Sequence, residues 1–280
     1  MPLQIRPFLN GFAAEVISLN VSDDFDEAVR KLVLDALYDH LVLIFRNQNL
    51  TVEQQIRFTE GLGILETAWD SSNTHPSDKR MQVVSNAGRG NISYRTSSQY
   101  WHTDRSFVEQ PTMATLLHIV QLPPYGGNTL FADMRRAYES LPESTKKLIE
   151  NLSAYHSFGY RFVELRSRRI SQKEAQTEAN RYPDVIHPLV RTHPVTKRKA
   201  LYLSELCLSG IVGVEKEQSD SLLQELYAHA LQPEFIYEHR WQPGDLLVWD
   251  NPSLMHRASD IPHEHPRTLH RTTTAGPAPV

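Results

Sequence analysis

Apolar positions along the chain fall into short runs separated by polar and turn-forming residues. From Asp24 to His40 they recur at helical spacing (Val29, Leu32, Val33, Leu37), and the pattern stops at Asp39-His40. That spacing places an apolar stripe on one face and predicts a helix. Leu41 to Phe45 is a continuous apolar run of strand length, which predicts a buried strand. Thr51 followed by Glu53-Gln54-Gln55 has the form of a helix start, and Gly61-Leu62-Gly63 ends that helix. Met113 to Leu122 reads as a second apolar strand, Pro123 to Asn128 as a turn, and Thr129 to Phe131 as a short strand. Met134 to Ile149 and Lys216 to Leu231 read as helices. The C-terminal third alternates short strands with turns: Phe235-Ile236-Tyr237, Gly244 to Trp249, and Arg267 to Thr274. No repeat, low-complexity tract or linker interrupts the chain, so a single domain over residues 1–280 is expected. Many short strands with a few helices predict a mostly β fold with flanking helices, a double-sheet jelly roll.

Composition narrows the function classes. The formal net charge is −4 and charged residues make up 22% of the chain, which argues against a basic nucleic-acid binder and gives no sign of a membrane-surface protein. There is no apolar run of about 18 residues, and Met1 to Arg6 lack a signal-peptide pattern. Cys207 is the sole cysteine, which excludes an intrachain disulfide and a Cys-rich zinc site. The expectation is a cytoplasmic protein whose partners include neither nucleic acid nor membrane.

Chemistry concentrates between Tyr100 and Phe107, where His102 and Asp104 stand two residues apart. In an extended strand both would point to one face and grip one metal ion. His256 lies far downstream, and Arg267 and Arg271 follow it at +11 and +15. Two histidines and a carboxylate form the facial triad of non-haem Fe(II) oxygenases, which leaves three coordination positions open. A 2-oxo acid can fill two of them and dioxygen the third. Arg267 offers the far carboxylate of such an acid a planar fork, and Thr129 offers a hydroxyl. If Arg271 shares a strand with Arg267, the two lie roughly 13 Å apart on one side at ~3.3 Å per residue. Arg271 would then meet the primary substrate, which points to an anion. The same three ligands also suit a zinc-dependent hydrolase. A jelly-roll binding protein that turns nothing over is the reading from another class.

Plainer roles stand beside these. Arg105 reads as a structural ion-pair residue or a second anion contact, Trp101 and Trp249 as core that can also line a pocket, and Phe158 as a core aromatic. His187 and His193 around Arg191 read as buried hydrogen-bonding residues, and Arg166-Ser167-Arg168-Arg169 as a solvated face or part of a mobile lid.

Trp101-His102-Thr103-Asp104, Gly126-Gly127-Asn128-Thr129, Val190-Arg191-Thr192-His193-Pro194, Trp241-Gln242-Pro243-Gly244-Asp245, Trp249-Asp250-Asn251 and His256 with Arg267 and Arg271 occur in that order. Together they resemble the taurine dioxygenase family of Fe(II)/2-oxoglutarate enzymes, which includes the dichlorophenoxyacetate dioxygenases. The resemblance runs from Phe45-Arg46-Asn47-Gln48 to the end of the chain. It implies a double-stranded β-helix of cupin-like form that uses Fe(II), 2-oxoglutarate and O2, and that hydroxylates a small anionic organic substrate with release of succinate and CO2. It implies His102, Asp104 and His256 as catalytic metal ligands, Thr129 and Arg267 as the residues that bind 2-oxoglutarate, and Arg271 as the grip on the substrate anion. Phe158 matches an aromatic wall of the substrate pocket and Trp249 a tryptophan beside the iron. Ser98 stands where taurine-specific members have asparagine, and Arg105 replaces a small or apolar neighbour. Those members also carry a histidine in the region that reads Glu66-Thr67-Ala68 here, and Ala68 cannot bind a sulfonate. The resemblance therefore implies a substrate other than taurine: an aryloxyalkanoate, another alkylsulfonate, a phosphonate or another carboxylate, with Ala132 to Tyr138 closer to the aryloxyalkanoate branch. A lid around residues 158–185 and a homo-oligomer (dimer or tetramer) complete the expectations.

Overall fold

The computed structural model describes residues 3–8, 11–24, 26–68, 73–86, 97–168, 170–260 and 264–280. Strands β1 (Gln4–Pro7) and β2 (Ala14–Ile17) precede helix α1 (Glu27–His40). The Asp26 carboxylate accepts from the Val29 amide to start α1, and Leu41 closes it in a left-handed conformation (φ 62°). β3 (Val42–Phe45) is buried at every position. α2 (Val52–Leu62) opens with a reciprocal capping box between Thr51 and Gln54. Then come β4 (Thr74–His75), β5 (Asp78–Ser85), β6 (Thr112–Gln121) and β7 (Thr129–Asp133).

The helix predicted from Met134 to Ile149 is two helices, α3 (Met134–Glu139) and α4 (Glu143–Ile149). Pro142 has no amide hydrogen to continue the first ladder, and it disfavours a helical Leu141, so the chain re-enters a helix only after it. β8 (Ser153–His156), α5 (Gly159–Ser167), α6 (Gln172–Ala179), β9 (Val185–Pro188), β10 (Val190–Thr192), β11 (Lys199–Leu201) and β12 (Leu208–Ile211) follow. The chain continues through α7 (Lys216–Ala230), β13 (Ile236–His239), β14 (Leu246–Asp250), β15 (Leu254–Ala258) and β16 (Thr268–Ala275).

Among the described residues strands outnumber helices, and half of the strands form one eight-stranded sheet of order β1-β2-β3-β14-β6-β16-β5-β4. Its pairs are antiparallel except β2 with β3. A three-stranded antiparallel sheet, β13-β7-β15, carries the other half of the site. Alternation along the central strands sorts their side chains. Leu43, Phe45, Leu116, Leu246 and Val248 pack beneath Val33, Leu37, Phe58 and Leu62 of α1 and α2. Val42, Ile44, Leu117, Leu247 and Trp249 face the other way, onto Phe131 and Leu254 of the small sheet. Both faces of β3 and β14 are thus covered, which is why their sequences are unbroken apolar runs. The two sheets meet where the Phe131 and Trp249 rings lie 5.5 Å apart. The helices α3, α4 and α7 pack on a separate apolar cluster that includes Met134, Ile149 and Leu226. Among the described residues, no helix is long and apolar enough to cross a membrane.

Candidate active site

His102, Asp104 and His256 converge, with one ligand atom from each within 4.8 Å of the others. The route is not the one their spacing suggested. His102 and Asp104 do not share a strand. His102 forms an isolated antiparallel bridge with His256, each amide donating to the other's carbonyl at 3.0 and 2.8 Å. The chain then turns, and Asp104 sits in that turn just before Arg105, whose φ is 55°. The long-range bridge replaces the local strand as the device that juxtaposes the ligands. It leaves the two imidazole centroids 4.2 Å apart. The turn is fastened by Thr103 Oγ1, which donates to the Asn251 carbonyl at 2.9 Å, in the short 3-10 turn between β14 and β15.

The protonation states suit a divalent metal. His102 Nδ1 lies 2.7 Å from the Tyr100 carbonyl, and donation there leaves Nε2 with its lone pair. Burial lowers the pKa of His102 and takes that of His256 to about 3, so both rings are neutral at physiological pH. Burial on its own would raise Asp104, but the Arg271 guanidinium above all holds its carboxyl down at about 2. Two neutral imidazoles and one carboxylate are the donor forms a metal ion requires, and the set suits Fe(II). His256 Nδ1 is buried without a hydrogen-bond partner among the described residues, and its Nε2 stands 3.9 Å from Asp104 Oδ2.

A cavity opens over these three residues, and the predicted Ser98, Arg105, Thr129, Trp249, Arg267 and Arg271 all line it. Arg267 is 5% exposed, stands 5.7 Å from the Trp241 ring, and has no carboxylate within 4.0 Å among the described residues. Its Nε has no hydrogen-bond partner among the described residues. Burial pushes its pKa down to about 10, which still leaves it cationic at neutral pH. Thr129 Oγ1 accepts from Trp241 Nε1 at 3.1 Å, so its own proton is free to be donated into the cavity. Gly127 makes room for the arginine: its φ is 68°, and a Cβ there would stand 2.8 Å from Arg267 Cδ.

Arg271 is differently placed. Its Nε and Nη2 donate to Gln82 Oε1 at 2.8 and 2.5 Å, and its Nη1 donates to Asp104 Oδ1 at 3.2 Å. Arg105 is both an ion-pair residue and a cavity residue: its Nη1 donates to Glu66 Oε1 at 2.6 Å, and Thr112 Oγ1 donates to Glu66 Oε2 at 2.7 Å. Thr67 and Ala68 border a small recess beside Arg105 and Arg271.

Phe158 packs as the core aromatic its sequence suggested and is not among the residues that line the cavity. It caps the start of α5, with its ring packed against Phe107, Phe162 and Tyr182 at 4.8, 4.2 and 4.9 Å. Phe107 and Phe162 face the cavity instead, with Leu206 and Cys207 beside them. Phe162 is one helical turn beyond Phe158, so an i, i+4 reading of α5 would have found it. His187 and His193 have the structural roles expected of them, bonded to the Val108 carbonyl and to Asp250. Arg166 and Arg168 pair with Glu178 and Glu164, while Arg169 lies outside the described residues. Sequence reasoning missed Thr115 and the role of Asn251, both buried beside Asp104.

A mostly β scaffold, an imidazole–imidazole–carboxylate donor set and a buried guanidinium facing the same cavity define a non-haem metal oxygenase site of the 2-oxo-acid type. The model of the family described as "Taurine catabolism dioxygenase TauD, TfdA family" matches residues 4–273. The chain belongs to this family and is an Fe(II)/2-oxoglutarate-dependent dioxygenase, with O2 as the second cosubstrate. It is 34% identical over 281 residues to the alpha-ketoglutarate-dependent 2,4-dichlorophenoxyacetate dioxygenase of Burkholderia sp. strain RASC, across 95% of this chain and 92% of that one. It is 30% identical over 285 residues to the alpha-ketoglutarate-dependent sulfate ester dioxygenase of Pseudomonas putida, across 100% of this chain and 92% of the relative. The solved structure of AAD-2 in complex with Mn(II) and N-oxalylglycine matches with a TM-score of 0.83 and 33% identity, covering 99% of both chains. Family membership decides against the zinc hydrolase and the silent binding protein.

Proposed function

We propose that His102, Asp104 and His256 hold the ferrous ion, that Arg267 and Thr129 hold the far carboxylate of 2-oxoglutarate, and that the primary substrate is a small organic anion. The observation that carries this reading is Arg267: a buried cation with no carboxylate partner among the described residues, facing the cavity that holds the three ligand candidates. A buried guanidinium left uncompensated costs several kcal/mol, and a bound carboxylate removes that cost. When bound, iron and 2-oxoglutarate supply dioxygen activation coupled to decarboxylation to succinate and CO2.

The remaining residues position the substrate. Arg271 and Arg105 supply positive charge at one side of the cavity, and Phe107, Phe162 and Leu206 supply an apolar wall at another. That pairing favours an anion on an apolar or aromatic body, such as an aryloxyalkanoate, with alkylsulfonates, phosphonates and other carboxylates as the neighbouring classes. The relatives named for a dichlorophenoxyacetate and a sulfate ester support it. Ser98 and Trp249 complete the lining. In the same reading the chain is a single dioxygenase domain. The two sheets joined through Phe131 and Trp249 form a double-stranded β-helix, and residues 158–185, which bring Phe162 to the cavity, act as a lid.

The test is succinate release from 2-oxoglutarate, screened over aryloxyalkanoates, alkylsulfonates, phosphonates and amino-acid derivatives. Release should require Fe(II) and disappear in His102→Ala and Asp104→Ala. Undiminished turnover by either variant would refute the ligand assignment.

A further inference from the structure

Asp104 is held by a chain of hydrogen bonds whose direction is forced at each link. Trp249 Nε1 donates to Asn251 Oδ1 at 3.0 Å, and the Asp104 amide donates to the same oxygen at 3.4 Å. Indole and amide N–H groups can only donate, so that atom of Asn251 must be the carbonyl oxygen. The amide nitrogen, Nδ2, is thereby turned toward Thr115 Oγ1, 2.9 Å away, and donates to it. The Thr115 hydroxyl has one proton. Because it accepts from Asn251, that proton goes to Asp104 Oδ2, at 2.6 Å. Asn251, Thr115 and Trp249 are each at most 1% exposed, so water does not compete for these bonds. The other carboxylate oxygen, Oδ1, takes Nη1 of Arg271.

Asn251 also sits where the site is sewn together. It begins the 3-10 turn that joins β14 to β15, five residues before His256. Its main-chain carbonyl accepts from Thr103, between His102 and Asp104. One residue therefore ties the loop that carries two ligand candidates to the strand that carries the third, and orients the carboxylate as well.

We infer that Asn251 is a positioning residue for the metal site: acting through Thr115, it fixes the rotation of the Asp104 carboxylate and the one proton delivered to Oδ2. The inference rests on Asp104 being a metal ligand. Loss of an outer partner of a metal ligand commonly weakens metal binding by about 10- to 100-fold. Two substitutions separate this role from packing. Thr115→Val keeps the shape and removes the proton, while Thr115→Ser keeps the proton. Asn251→Asp is nearly isosteric and can still accept from Trp249 and the Asp104 amide. It offers Thr115 a carboxylate oxygen in place of an N–H, which draws the hydroxyl proton away from Asp104. By charge alone, an added carboxylate near a cation site would tighten binding, so the two explanations predict opposite signs.

The experiment is Mn(II) binding to metal-free protein, followed by electron paramagnetic resonance, with the thermal midpoint of each metal-free variant measured alongside. Thr115→Val and Asn251→Asp should weaken Mn(II) binding about 10- to 100-fold, and Thr115→Ser should restore it to within about 3-fold of the parent. Parental affinity in Thr115→Val, equal or tighter binding in Asn251→Asp, or failure of Thr115→Ser to restore binding, each overturns the inference. A lowered thermal midpoint common to Thr115→Val and Thr115→Ser, with affinity lost in both, assigns the effect to packing and overturns it too. Asp104→Ala serves as the control: parental Mn(II) affinity there sinks the ligand assignment itself, whereas lost affinity there with normal affinity in Thr115→Val sinks only the role of Asn251.

Discussion

Arg267 and Arg271 lie four residues apart and line one cavity, yet among the described residues Arg271 has a carboxylate partner and Arg267 has none. Arg271 is braced by Gln82 from the neighbouring strand β5 and leans on Asp104. Arg267 is more deeply buried, rests over an indole and faces no carboxylate among the described residues. The same residue type can thus meet an anion in two ways: Arg271 is pre-oriented by protein acceptors on the neighbouring strand and on Asp104, whereas Arg267 has no carboxylate beside it among the described residues, so a bound anion would be its compensating charge.

Three substitutions probe that contrast. The largest effect belongs to Arg267→Ala, which should raise the KM for 2-oxoglutarate about 100-fold, within the 2–5 kcal/mol typical of truncating one partner of a buried charge pair. A change under about 3-fold in steady-state kinetics would erase the distinction between the two arginines. Arg271→Ala should raise the KM for the primary substrate about 10-fold, on the scale of one charge-assisted hydrogen bond, and that for 2-oxoglutarate much less. Equal effects on both would break the division of labour. Gln82→Leu is the mildest: it removes the brace but leaves the bond to Asp104, so the KM for the primary substrate should shift about 2- to 3-fold, as expected for a net contribution of about 0.5 kcal/mol. If Gln82→Leu matches Arg271→Ala, the brace rather than the charge sets the arginine's role.

The donor set was legible before any coordinates because metal chemistry restricts residue types so tightly. The His102 and Asp104 pair, a distal histidine and a following arginine leave few alternatives. How they meet was not legible. The bridge between His102 and His256 joins segments distant in sequence, and no local periodicity announces such a pair. Thr115 was hidden for a related reason: within the apolar run of β6 it looks like ordinary β-branched strand filling, and only the approach of Asn251 and Asp104 gives its hydroxyl a task. Phe162 was not legible because which face of α5 meets the cavity depends on how the helix packs, and it lies one turn beyond Phe158. Most long elements were visible, since α1, α2, β3, β6 and α7 bury continuous or evenly spaced apolar sets. The break between α3 and α4 was written in Pro142 but masked by helical spacing on both sides of it.

The reciprocal main-chain bridge between His102 and His256 makes the spacing of the two rings a property of the backbone. Side-chain rotation alone cannot pull the ring-bearing segments apart; that requires the middle of β15 to peel from the loop before Asp104. A cation held by these three residues would fasten the loop that carries His102 and Asp104 to β15, so separating loop from strand and emptying the site would be coupled events.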